Sequence, residues 1–138
     1  VATIEASIQA ALFARMASLV ISPAHPISWP NVSFTPPASK RYLRVSHLPN
    51  ATERLFINSG GKHRHQGILQ VMVCAPLNSG EAAAMEIAGL MADHFPVDHQ
   101  LGGDGLQVRI PKRPNVAAAM IADTELQIPV SIAYECWA

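Results

Sequence analysis

Proline placement constrains this chain more than any other feature. Five of its eleven prolines (Pro23, Pro26, Pro30, Pro36 and Pro37) fall within fifteen residues. Each lacks an amide donor and fixes its own φ, so no regular helix survives there. Pro49, Pro76, Pro96, Pro111, Pro114 and Pro129 punctuate the rest. Upstream of the proline-rich stretch, Ile4, Ile8, Leu12, Met16 and Leu19 recur at three- and four-residue steps. Thr3 is placed as an N-cap and Glu5 falls in the first turn. The spacing therefore predicts an amphipathic helix to about Val20, ended by Pro23 and Pro26. A second helix is predicted from a cap at Asn78 or Ser79, with Glu81 in its first turn. Its packing face is Ala82, Met85, Ala88, Gly89, Met91 and Ala92, and it ends at Phe95-Pro96.

The remaining segments read as strands. Ile27–Trp29 and Val32–Phe34 are short extended pieces around Pro30, as on a sheet edge. Tyr42–Leu48 alternates, with Leu43 and Val45 on one face. Leu55–Ile57 is a short strand-like run, and Ser59-Gly60-Gly61 is a turn. Ile68–Cys74 is almost continuously apolar, as in the centre of a sheet. Glu53–Cys74 is thus expected to form a hairpin with the two glycines at its tip. The stretch from Leu101 to Leu106 is expected to turn into a strand ending at Ile110. Asn115–Ala122, Ala-rich and without a cap, fits neither state uniquely. Leu126, Ile128, Val130, Ile132 and Tyr134 alternate along a final strand in which Pro129 suggests an edge or a bulge. This order lacks the repeated βαβ of a doubly wound fold. It predicts one α+β domain over residues 1–138: a mainly antiparallel sheet, two helices on one face and a protruding hairpin.

Ten Lys and Arg balance ten Asp and Glu, for a net charge of zero, and only 14% of residues are charged against 49% apolar. That balance disfavours a basic nucleic-acid binder and suits a surface partly hidden in an assembly. No apolar run reaches the roughly 18 residues of a membrane span. Arg15 interrupts the apolar N-terminal stretch and no basic segment precedes it, so a cytoplasmic protein is expected. Cys74 and Cys136, each among apolar neighbours, are expected as free buried thiols.

Catalytic and metal motifs are missing. His63 and His65 point to one side of a strand, yet no second paired spacing completes a zinc set. Cys74 sits in an apolar run that keeps a thiol inert. There is no Gly-x-Ser-x-Gly elbow, no phosphate-binding loop and no acid pair. No enzyme, catalytic residue, cofactor or metal is expected. A small metal- or ligand-binding domain using His63, His65 and Cys74 is the alternative from another class. The one local charge cluster is Arg54, Lys62, His63, Arg64 and His65.

Several motifs carry a resemblance. They are Trp29-Pro30-Asn31-Val32-Ser33-Phe34-Thr35-Pro36-Pro37, then Tyr42-Leu43-Arg44-Val45, Leu48-Pro49-Asn50, Gly67-Ile68-Leu69-Gln70-Val71 leading to Ala75-Pro76, and His94-Phe95-Pro96. Over about Ile4 to Tyr134 the chain resembles the phage tail-terminator-like proteins, a family similar to the lambda-type tail terminators. The resemblance implies an α+β virion protein that forms a homohexameric ring. Such a ring caps the tail tube, stops its polymerisation and meets the head-side connector or stopper protein. DNA crosses its channel without sequence-specific binding, and no catalytic residue is implied. A head–tail joining or neck protein of similar fold is the alternative within the virion. Arg54, Lys62, His63, Arg64 and His65 are then the expected contacts to a neighbouring subunit, the tube or passing DNA. Trp29, Phe34 and Tyr42 are expected in the core or between subunits. The final strand could be internal or pair across subunits.

Overall fold

The computed structural model describes residues 3–21, 25–78, 80–103, 106–122 and 124–138. Helix α1 spans Ile4–Ala17, with the Thr3 hydroxyl accepting from the Ala6 amide at 3.3 Å and Glu5 in the first turn. It stops a few residues short of the expected Val20, because the Ser18 amide and hydroxyl satisfy the last carbonyls, the hydroxyl donating to Arg15 O at 2.6 Å. Pro23, assigned to end it, lies outside the described residues. Helix α2 spans Ala82–His94 and ends at Phe95 as expected.

The start of α2 differs from the sequence reading. Asn78 (φ 62°) and Gly80 (φ 79°) adopt left-handed conformations in the approach turn, so Asn78 shapes that turn and caps nothing. Ser79 lies outside the described residues. Glu81 occupies the N-cap position without a side-chain cap. Beginning at Ala82 rotates the buried face to Ala84, Ile87, Ala88, Met91 and Ala92, leaving Ala82 and Met85 exposed.

The strands are β1 (Ile27–Ser28), β2 (Tyr42–Pro49), β3 (Glu53–Arg54), β4 (His63–Pro76), β5 (Gln100–Gly103), β6 (Leu106–Arg109), β7 (Asn115–Val116), β8 (Met120–Ala122) and β9 (Glu125–Trp137). They form one sheet in the order β1-β2-β4-β9-β6-β5, with β3 beside β4 and with β7 and β8 beside β9. Only β1–β2 is parallel. Val32–Phe34 forms no strand, and the ambiguous Asn115–Ala122 segment resolves into β7 and β8.

β9 is internal. It pairs with β4 along its length and with β8, β7 and β6 in turn on its other side. Pro129 is tolerated because its carbonyl accepts from Ala117 N at 2.9 Å, in the link between β7 and β8. A strand residue's N and C=O point the same way. The missing N–H therefore faces a gap in the neighbouring strands, and no β4 hydrogen bond is lost.

One face of the sheet carries Leu43, Val45, Leu69, Val71, Val73, Ile128, Val130 and Ile132, each at most 2% exposed. Both helices contribute to the same core through Ile8, Leu12, Met16, Ala84, Ile87, Ala88 and Met91, as the patterning requires. Burying each large aliphatic side chain contributes about 1.5–3 kcal/mol. The helices are also joined directly, Arg15 Nε donating to His94 O at 2.9 Å. The opposite face has no helix over it among the described residues.

Candidate assembly surface

The segment from 53 to 64 leaves the sheet as an arm. Its root is the two-residue pairing of β3 with β4, Glu53 opposite Arg64 and Arg54 opposite His63. Leu55–Ile57 is not a strand: residues 55–62 form the loop, held by its own contacts. Arg54 folds back on the loop, Nε donating to Phe56 O at 2.9 Å and Nη2 to Ile57 O. Gly61 N donates to Asn58 O at 3.2 Å, and a Cβ at Gly61 would stand 2.8 Å from Phe56 Cβ, so this tip requires glycine. Leu55, Phe56 and Ile57 are 42%, 54% and 96% exposed.

The five-residue positive cluster does not form one charged face. Alternation turns Arg64 onto the open face of the sheet, where Nη2 meets Glu135 Oε2 at 3.0 Å and Nη1 meets Glu53 Oε2 at 3.4 Å. Glu135 also takes Arg109 Nη1 at 2.5 Å, and Arg109 Nη2 reaches Asp98 Oδ1 at 2.6 Å. The hydrogen bond to Glu135 raises the Arg64 pKa, and the one to Asp98 raises that of Arg109. Arg54 is bound to its own loop. His65 is buried, with Nδ1 at 3.4 Å from Thr52 Oγ1 and Nε2 without a hydrogen-bond partner. His63 is half-buried and exchanges backbone hydrogen bonds with Ala138 at 2.8 and 3.0 Å. Of the cluster, Lys62 is exposed and forms no ion pair among the described residues.

Sequence reasoning missed Glu135, Arg109 and Asp98, which neutralise the arm's root. No local spacing could reveal them, since β4–β9 pairing brings Arg64 and Glu135 together from 71 residues apart. It also read Leu55–Ile57 as a strand and so missed the apolar tip. The open face adds a row of apolar side chains across three strands, Leu48, Ile68 and Ala133, the first two exposed.

Two polar groupings brace this frame. The Tyr42 hydroxyl lies 2.9 and 2.8 Å from the Glu125 carboxylate oxygens, Arg44 Nη2 donates to Tyr42 Oη at 2.9 Å, and Gln127 Nε2 donates to Glu125 at 2.7 Å. Burial raises the Tyr42 pKa, so the phenol stays protonated, and pushes the adjacent Cys74 thiol up to about 11. A buried thiol held protonated is a poor nucleophile. On the helix face, His47 bridges Gln9 Oε1 (Nδ1, 3.1 Å) and Tyr134 Oη (Nε2, 2.6 Å). The Gln9 oxygen only accepts, so Nδ1 carries the proton and Nε2 accepts from the Tyr134 hydroxyl. Burial lowers the His47 pKa and pushes Tyr134 up to about 12. Both cysteines are free and buried, and no cluster of three His, Cys, Asp or Glu side chains suited to a metal occurs among the described residues.

This arrangement offers surfaces for contact. A family model described as phage tail terminator protein matches residues 7–134, nearly the whole chain. The chain belongs to the phage tail terminator family. A solved structure 30% identical to this chain covers 94% of it, and 92% of that structure's own chain is matched, with a TM-score of 0.76. Among curated proteins nothing matches. The family is a structural, tail-assembly one, so this chain is a virion component of a bacteriophage tail. No helix among its described residues is long and apolar enough to cross a membrane.

Proposed function

We propose that the chain, acting as one domain over residues 1–138, closes into a hexameric ring on the end of the phage tail tube. The ring ends tube polymerisation, presents its other rim to the head-side connector or stopper, and leaves a channel through which DNA passes without sequence-specific contacts. Assembly takes place in the host cytoplasm. The observation that carries this reading is the family match over nearly the whole chain. The exposed apolar tip of the arm and the exposed Leu48 and Ile68 on the helix-free sheet face support it, because a ring subunit needs two unlike patches for its neighbours and a further surface for the tube. Lys62 and His63 are the members of the positive cluster proposed to meet a neighbour or the tube, while Arg64 braces the arm's root, Arg54 ties down its loop and His65 is buried.

Light scattering across a concentration series tests the ring, which should give a particle near six times 14.8 kDa. Electron microscopy of purified tail tubes mixed with the protein should then show capped ends. Monomer at every concentration together with uncapped tubes would overturn the proposal.

A further inference from the structure

The arm's exposed tip has a counterpart at the far end of the same strand. Where β4 runs toward α2, a pocket of about 150 Å³ opens between the sheet and the first turns of the helix. Val73, Cys74 and Ala75 line it from the sheet and Ala83, Ala84, Glu86 and Ile87 from the helix, with His25 and Arg41 completing a wall that is mostly apolar. An apolar space of this size takes a benzene ring, hence one aromatic or branched aliphatic side chain. The chain carries such a side chain on a stiffened support. Arg54 ties down the carbonyls of Phe56 and Ile57, and Gly61 closes the loop onto Asn58. Ile57 stands out at 96% exposure on a backbone already tied down, which lowers the ordering cost of docking.

A molecule cannot place this tip in its own pocket. His63 and Val73 are ten positions apart on β4, or roughly 33 Å at about 3.3 Å per residue. A knob at one end of a subunit and a matching hole at the other produce a head-to-tail contact between copies. Such contacts close into a ring when the rotation allows. We infer that Ile57 of one copy, flanked by Phe56, enters the pocket between Val73, Ala75, Ala84 and Ile87 of the next copy. This inference rests on the ring reading above and specifies which surfaces make its subunit contact.

The test uses the purified full chain. In Ile57→Cys/Ala83→Cys, mild oxidation should give a ladder of cross-linked oligomers on a non-reducing gel. Ala83→Cys alone should run as a monomer, since native Cys74 and Cys136 are buried. Ile57→Asp should keep its melting temperature and weaken self-association by about tenfold or more, the effect expected for one lost apolar anchor. An oligomer seen by light scattering without cross-links would overturn this contact while leaving the ring intact. A monomer without cross-links would overturn both readings. An Ile57→Asp oligomer that forms normally but fails to cap tubes would assign the tip to the tube and overturn the contact between copies.

Discussion

The two ends of β4 obey different rules. From Leu69 to Ala75 its inward side chains are almost fully enclosed beneath the helices, and the strand has paired neighbours on both sides. From His63 to Gln66 it is held by charge and backbone: Arg64 between Glu53 and Glu135, and His63 against the Ala138 backbone. The enclosed end draws its stability from apolar area, and the arm end from polar contacts at partly exposed positions. The arm end leaves Leu55, Phe56 and Ile57 uncovered, the last at 96% exposure.

The comparison can be broken by substitution. Leu69→Ala, in the enclosed half, should lower the unfolding free energy by about 3 kcal/mol in denaturant titration; a value near zero would mean that the two ends do not differ. Gly67→Ala, at the boundary, comes next. Its Cβ would stand 2.6 Å from Tyr134 Oη and 2.8 Å from Leu48 O, so about 2 kcal/mol of overpacking destabilisation is expected, with the melting temperature as readout.

Glu135→Gln should remove roughly 1–2 kcal/mol, because its two arginine partners remain partly in water. Its larger effect should be faster amide exchange along residues 53–64, while residues 69–75 stay protected.

The pH response sharpens the contrast further. Burial lowers the pKa of His47, His94 and His99. Below their ordinary value of about 6.5 the unfolded chain binds more protons than the folded one, so stability falls as pH drops from 7 towards 5. His47→Gln should flatten part of that slope in melts recorded across this range. The smallest effect belongs to Lys62→Glu, expected within about 0.5 kcal/mol of the wild type in stability but defective in tube capping. Replacing Arg64 as well would make a poorer probe, since Arg64 also braces Glu135.

Much of the fold was legible because its signals are local. Thr3 and the four-residue spacing from Ile8 through Leu12 to Met16 define α1, and the apolar run from Leu69 to Val73 marks a central strand. The misreadings came where a local signal had two solutions. Asn78 suits both a cap and a left-handed turn, and the choice rotated the buried face of α2 away from Met85. Pro129 suits an edge strand, but it equally suits an internal strand whose neighbours part beside it. The candidate surface was legible in location and not in character. His-Arg-His marks the arm's root, yet the partner that neutralises Arg64 arrives from β9.

The sequence by itself determined the two helices, the main strands, the proline-bounded segments and the glycine-tipped arm, because periodicity, capping and φ restriction act over a few residues. Only the tertiary structure decided that β9 is internal, that Glu135 gathers Arg64 and Arg109, and that an apolar pocket lies one strand-length from an apolar tip. Those features depend on strand register and on which face each side chain takes, and register is set by pairing between segments far apart in the chain.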